Sequence, residues 1–155
     1  MRYLFLLLVV GCQSVRPVNP QDSWLTQAGQ VLECRIEDHT GQPMPAYAVA
    51  AKVGWDDRIA GWTSPDGTEV YISPDLEDMV VVATLLHELV HVWLIQKHGF
   101  YGHDDMFEAL AQDVGLTGPM TATYPTTDLR VELEMLLDNL GPFPRTPLAA
   151  QECPD

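Results

Sequence analysis

The sequence predicts an α+β domain: an N-terminal helix, a three-stranded antiparallel sheet, a buried helix and two further helices. Three patterns carry that expectation. Apolar residues recur at helical spacing near the start, short apolar runs separated by Gly and Pro follow, and a later stretch is apolar on nearly every side. A chain of 155 residues, 46% hydrophobic, is the size of one ordinary domain and can bury a core.

Taken in order, Trp24, Leu25, Ala28, Val31, Leu32 and Ile36 are spaced for an amphipathic helix from about Asp22 to about Glu37. Gly41, Pro43 and Pro45 interrupt it. Ala46 to Val53, Arg58 to Thr63 and Glu69 to Ile72 read as strands, with Pro65-Asp66-Gly67 turning between the last two. Ser73, Pro74 and Asp75 supply a side-chain cap, a proline for the first turn and an acid for the positive end of the dipole, so they predict the next helix start. From Met79 to Leu94 that helix is apolar almost all round and belongs in the core. Phe107, Leu110, Ala111, Val114 and Leu116 predict one short packing helix, and Leu129, Leu133, Leu136, Leu137 and Leu140 another, closed by Gly141 and Pro142. Trp55, Trp62 and Trp93 read as core or sheet-face aromatics.

The ends read differently from the middle. Tyr3 to Val10 is an apolar run after Arg2 and leads into Gly11-Cys12. This is the pattern of a bacterial lipoprotein signal, with Cys12 lipidated for membrane attachment and Gln13 to Gln21 as a tether; a buried strand or helix turn is the competing reading. The localisation expected is then the bacterial envelope, and otherwise the cytoplasm. The organisation is 1–21 signal and tether, 22–147 domain, 148–155 tail. Cys34 and Cys153 can pair only in an oxidising compartment, and free thiols fit the sequence equally.

The chemistry lies on the apolar helix. Thr84, His87, Glu88 and His91 share one stripe of it, and buried imidazoles with a carboxylate are costly unless they find partners. In His87-Glu88-Leu89-Val90-His91 two histidines one turn apart aim at a common point with a glutamate beside them, the HExxH arrangement that binds one Zn2+ ion. Four of the five histidines lie between positions 87 and 103, which satisfied core histidines would not explain. A catalytic zinc needs a third protein ligand and an open position for water. His98, His103, Glu108 and Glu132 are the candidates. His98 would sit about 10 Å along the axis from His91, too far to share an ion, and suits a helix end before Gly99. After a turn at Gly99 to Gly102, with Asp104 or Asp105 capping the next helix, His103 can meet the other two imidazoles; Glu108 is second choice.

Several segments together resemble the SprT-like metallopeptidases, above all the short forms of phage and prophage genomes. They are Tyr71-Ile72-Ser73-Pro74, Leu85 to His91, Gly102-His103 with Phe107, Gly118-Pro119-Met120-Thr121-Ala122-Thr123 and Leu140-Gly141-Pro142-Phe143-Pro144. The resemblance implies a small zincin-like domain with ligands His87, His91 and His103 and with Glu88 as general base. It departs from the family where Asp104 and Asp105 follow His103, and where the chain stops at Cys153-Pro154-Asp155 without a cysteine-rich zinc ribbon.

Charge narrows the partners. With 22 acidic against 8 basic residues the formal charge is -14, which opposes direct nucleic-acid binding, and no glycine-rich phosphate loop occurs. The expected activity is zinc-dependent peptide hydrolysis of a protein or peptide substrate, with Glu88 taking the proton of a zinc-activated water. An extended substrate is expected to pair with a free sheet edge. Tyr101 and Tyr124 read as packing residues, and Met120 is a lone methionine that defines nothing. An inert zinc or peptide-binding module, and a zinc hydrolase acting on a non-protein amide such as cell wall, are the alternatives.

Overall fold

The structure is a computed structural model that describes residues 19–52 and 58–145. The expectations for Cys12, Val53, Trp55 and Cys153 lie outside them. Among the described residues, four helices and two small sheets form the α+β arrangement the sequence predicts. Helix α1 (Pro20–Thr40) begins on Asn19, whose side chain accepts from Gln21 N–H, and ends at left-handed Gly41. Its stripe of Trp24, Leu25, Ala28, Leu32 and Ile36 is buried.

Strands β1 (Ala48–Ala51), β2 (Gly61–Thr63) and β3 (Glu69–Ile72) form a sheet in the order β1-β3-β2. The expected antiparallel pairing holds for β2 and β3, which are joined by the predicted turn; Ser64 and Thr68 both hydrogen-bond Asp66 there. It does not hold for β1, which lies parallel to β3 with Val49 opposite Val70. The physical reason is the chain order: β3 inserts between β1 and β2, so the first connection is a crossover and not a hairpin.

Helix α2 (Asp78–His98) starts four residues later than a cap at Ser73 predicts. Ser73 instead donates its N–H to Ala60 and prolongs the sheet, while Arg145 donates to the Pro74 and Leu76 carbonyls and pairs with Asp78. The carbonyls a longer helix would use are therefore already engaged. By length and composition α2 could cross a membrane, but 78% of its most apolar window is buried inside the fold. It packs against α1, the three-stranded sheet, α3 (Asp105–Asp113) and α4 (Thr127–Leu140), which is why every side of it is apolar.

The predicted third helix ends at Asp113, and Leu116 lies instead in β4 (Leu116–Thr117), paired with β5 (Tyr124–Pro125). The C-terminal segment straps α1: Trp24 donates to the Gly141 carbonyl, Gln21 to that of Pro144, and Phe143 sets its ring edge-on to Trp24 at 5.3 Å. Trp62 lies on the sheet face, stacked on Tyr71, and Trp93 is in the core.

Candidate metal centre

Helical geometry brings the first two site residues together, because positions four apart lie one above the other on a helix. His87 and His91 are both buried, with ring centroids 5.1 Å apart. Gly99 in the left-handed conformation then stops α2 and reverses the chain, and Asp104 caps α3 by accepting from Met106 N–H. His103 stands in that reversal. Its Nε2 lies 3.1 Å from Nε2 of His87 and 3.0 Å from Nε2 of His91.

The three rings share one wall. Phe107, fully buried on the first turns of α3, has its centroid 4.8 Å from His87, 4.4 Å from His91 and 4.8 Å from His103. The set offers three ligand nitrogens within 4.8 Å of one another, close enough to bind a single metal ion. Without a cation the arrangement is poorly satisfied. A neutral imidazole has one N–H and one lone pair, so the Nε2 of His103 can serve only one of its two neighbours. His91 Nδ1 is buried without a hydrogen-bond partner among the described residues. His87 Nδ1 lies 2.8 Å from the Thr123 hydroxyl, an interaction that can hold the ring with Nε2 turned to the cluster.

Burial decides the charge states. Loss of hydration drives His87 down to about 4 and His91 to about 3, with their imidazole neighbours adding to the shift, and it lowers His103 as well. All three are therefore neutral near pH 7, the state a metal requires. Burial moves Glu88 the opposite way, up to about 7, against a hydrogen bond from Thr63 that lowers it. The Thr63 hydroxyl lies 2.7 Å from Glu88 Oε2 and 3.2 Å from the Glu88 carbonyl.

The other predicted candidates lie elsewhere. His98 ends α2, as expected, with its ring 4.9 Å from Trp93. Glu108 is exposed and accepts from Gln112; Glu132 pairs with Arg35. Tyr101 lines the cleft beside His91, whereas Tyr124 packs over Gly118. Met120 packs against the core. Cys34 is exposed, and Cys153 lies outside the described residues.

Three functional partners were invisible to sequence reasoning. Thr63 and Gly61 reach Glu88 across the sheet, and Thr123 reaches His87 from a loop. Gly61 has a steric reason: a Cβ there would lie 2.6 Å from Thr84 Cγ2 and 2.9 Å from Glu88 Cγ, so only glycine lets β2 lie this close to α2. Thr123 does close the Gly118 to Thr123 segment that resembles the SprT-like family, which is its one mark in the sequence.

The cluster opens into a cleft of about 500 Å³ between residues 58–63 on one side and 121–123 on the other, with α2 as its floor. Chemically, the cleft joins a place for one cation to a buried carboxyl that exchanges its proton near neutrality. No protein-family model, curated protein or solved structure matches the chain.

Proposed function

We propose that the protein is a zinc-dependent metallopeptidase of the SprT-like kind. The observation that carries this reading is the convergence of His87, His91 and His103 Nε2 in one cleft with the buried Glu88 carboxyl. The donor set fits zinc. Nitrogens at about 2.0–2.1 Å around a tetrahedral ion are separated by about 3.4 Å, close to the 3.1 and 3.0 Å found here, and three imidazoles leave a fourth position open. His87, His91 and His103 would hold the ion. When bound, zinc supplies Lewis acidity, which makes water acidic near neutrality and polarises a carbonyl.

The chain's own groups do the rest. Glu88 would accept the proton of the attacking water and return it to the leaving amine, one carboxyl serving as base and then acid. Thr63 keeps Oε2 in place; its single hydroxyl proton can turn to the Glu88 carbonyl when the carboxyl is protonated. A peptide substrate is supported by β2, the outer strand of the sheet on the cleft side. Ala60 and Ser64 bond towards β3, so by alternation the N–H and C=O of Gly61 and Thr63 point away from it, where an extended chain could pair.

The test is hydrolysis of casein by zinc-loaded protein and by Glu88→Gln. The variant is expected to keep one zinc and to lose about 10²- to 10⁴-fold in kcat. A zinc-loaded Glu88→Gln protein that hydrolyses casein at the wild-type rate would refute the mechanism. Zinc binding without hydrolysis by the wild type would favour an inert binding module.

A further inference from the structure

The cleft continues beyond the metal cluster, where Arg58, Ile59 and Val80 line it. Val80, Thr84, His87 and His91 fall on one stripe of α2, at intervals of four, three and four residues. Nearly every residue from Val81 to Ile95 is buried, yet Val80 is 41% exposed and lines the cleft. Opposite it runs the chain leading into β2. Thr63 touches Glu88, and Gly61 lies against Thr84 and Glu88. Ile59 lies two residues before Gly61 and Val80 four before Thr84, so the chain leaving the contact between Gly61 and Thr84 leads to Ile59 on one side and to Val80 on the other. Ile59 is 42% exposed and also lines the cleft. Among the described residues, Glu88 is the one carboxylate that lines this cleft.

Resting on the peptidase reading, we infer that Ile59 and Val80 form a subsite for an apolar side chain of an extended polypeptide substrate. Seven residues of helix separate Val80 from His87, about 10 Å, which is about three residues of extended chain. The occupant is therefore a Leu, Ile, Val or Met side chain some three residues from the bond that is cut. Gly61, between the subsite and Glu88, holds β2 close against Thr84 and Glu88 of α2.

Two measurements test this. In the first, cleavage products of unfolded casein made by the zinc-loaded chain are sequenced by mass spectrometry. Leu, Ile, Val and Met should be enriched at one position about three residues from the cut, and Val80→Asp and Ile59→Asp should each abolish the enrichment. An unenriched position, or the same enrichment in both variants, overturns the subsite.

The second needs no turnover and separates this inference from the peptidase reading. A fluorescent Gly/Ser peptide with a single Leu is titrated into zinc-loaded Glu88→Gln protein. It should bind about tenfold more tightly than its Leu→Gly analogue, a preference lost in the Glu88→Gln, Val80→Asp double variant. Equal affinity for the two peptides overturns the inference, whatever the casein assay gives. Preserved Leu preference with no casein hydrolysis overturns the peptidase reading alone.

Discussion

Helices α1 and α2 are each 21 residues long, and each ends at a left-handed glycine, yet they bury their residues in opposite ways. Helix α1 buries one apolar stripe and, apart from Gln21, leaves its polar side chains at least partly exposed. Helix α2 is buried from Val81 to Ile95 except at Thr84, and the polar groups it retains there, His87, Glu88 and His91, are among those buried. Packing alone accounts for the first pattern. It does not account for the second, because dry imidazoles and a dry carboxyl oppose folding unless something repays their lost hydration. A cation between the imidazoles would do so for His87 and His91, which lie close enough to His103 to share one.

That contrast can be broken in three ways. The largest expected effect comes from two core truncations. Leu25→Ala in α1 and Phe107→Ala behind the three histidines both remove fully buried side chains and should cost about 2–5 kcal/mol, read from denaturant unfolding. Only Phe107→Ala should also weaken zinc binding by the folded protein. Equal zinc affinity in the two variants would mean that the wall behind the cluster does not hold it.

A smaller effect is expected from Thr123→Val, which removes the hydroxyl at His87 Nδ1. Zinc affinity should fall about 10- to 100-fold with little change in the Tm of metal-free protein. An unaltered affinity by competition with a chelator dye would show that Thr123 does not orient the ring.

The smallest effect is the acid response of metal-free protein. His87 and His91 titrate at about 4 and about 3 when folded and near 6.5 when unfolded, so between these values the unfolded chain binds protons that the folded chain refuses. That lowers stability as pH falls. Glu88, raised to about 7, binds a proton in the folded state between about 4.5 and 7 and opposes the trend. His103 is lowered as well and adds to the histidine side, so the histidines outweigh the one carboxyl and Tm should drop between pH 6.5 and 4.5. His87→Ala should flatten that slope; a Tm that rises on acidification would contradict the burial of the imidazoles.

Much of this was legible because it is local. His87, Glu88 and His91 lie within two turns of one helix, and the stop at Gly99 and the cap at Asp104 are short-range signals that set His103. The parallel pairing of β1 was not legible, since it depends on β3 inserting between two strands that precede it. The late start of α2 was hidden for a similar reason: Arg145, about seventy residues away, takes the carbonyls that Ser73 and Pro74 seemed to prepare for a helix. Thr63, Gly61 and Thr123 carry no mark in the sequence near the residues they serve. Only the folded sheet and loop bring them to Glu88 and His87.

The most direct test of the shared cation is a zinc titration of metal-free wild-type and His103→Ala protein, followed by calorimetry. The wild type should bind one ion per chain, and His103→Ala should bind it about 100-fold more weakly or not at all. A wild type that takes up no zinc, or a His103→Ala variant that binds as tightly as the wild type, would contradict the three-histidine centre.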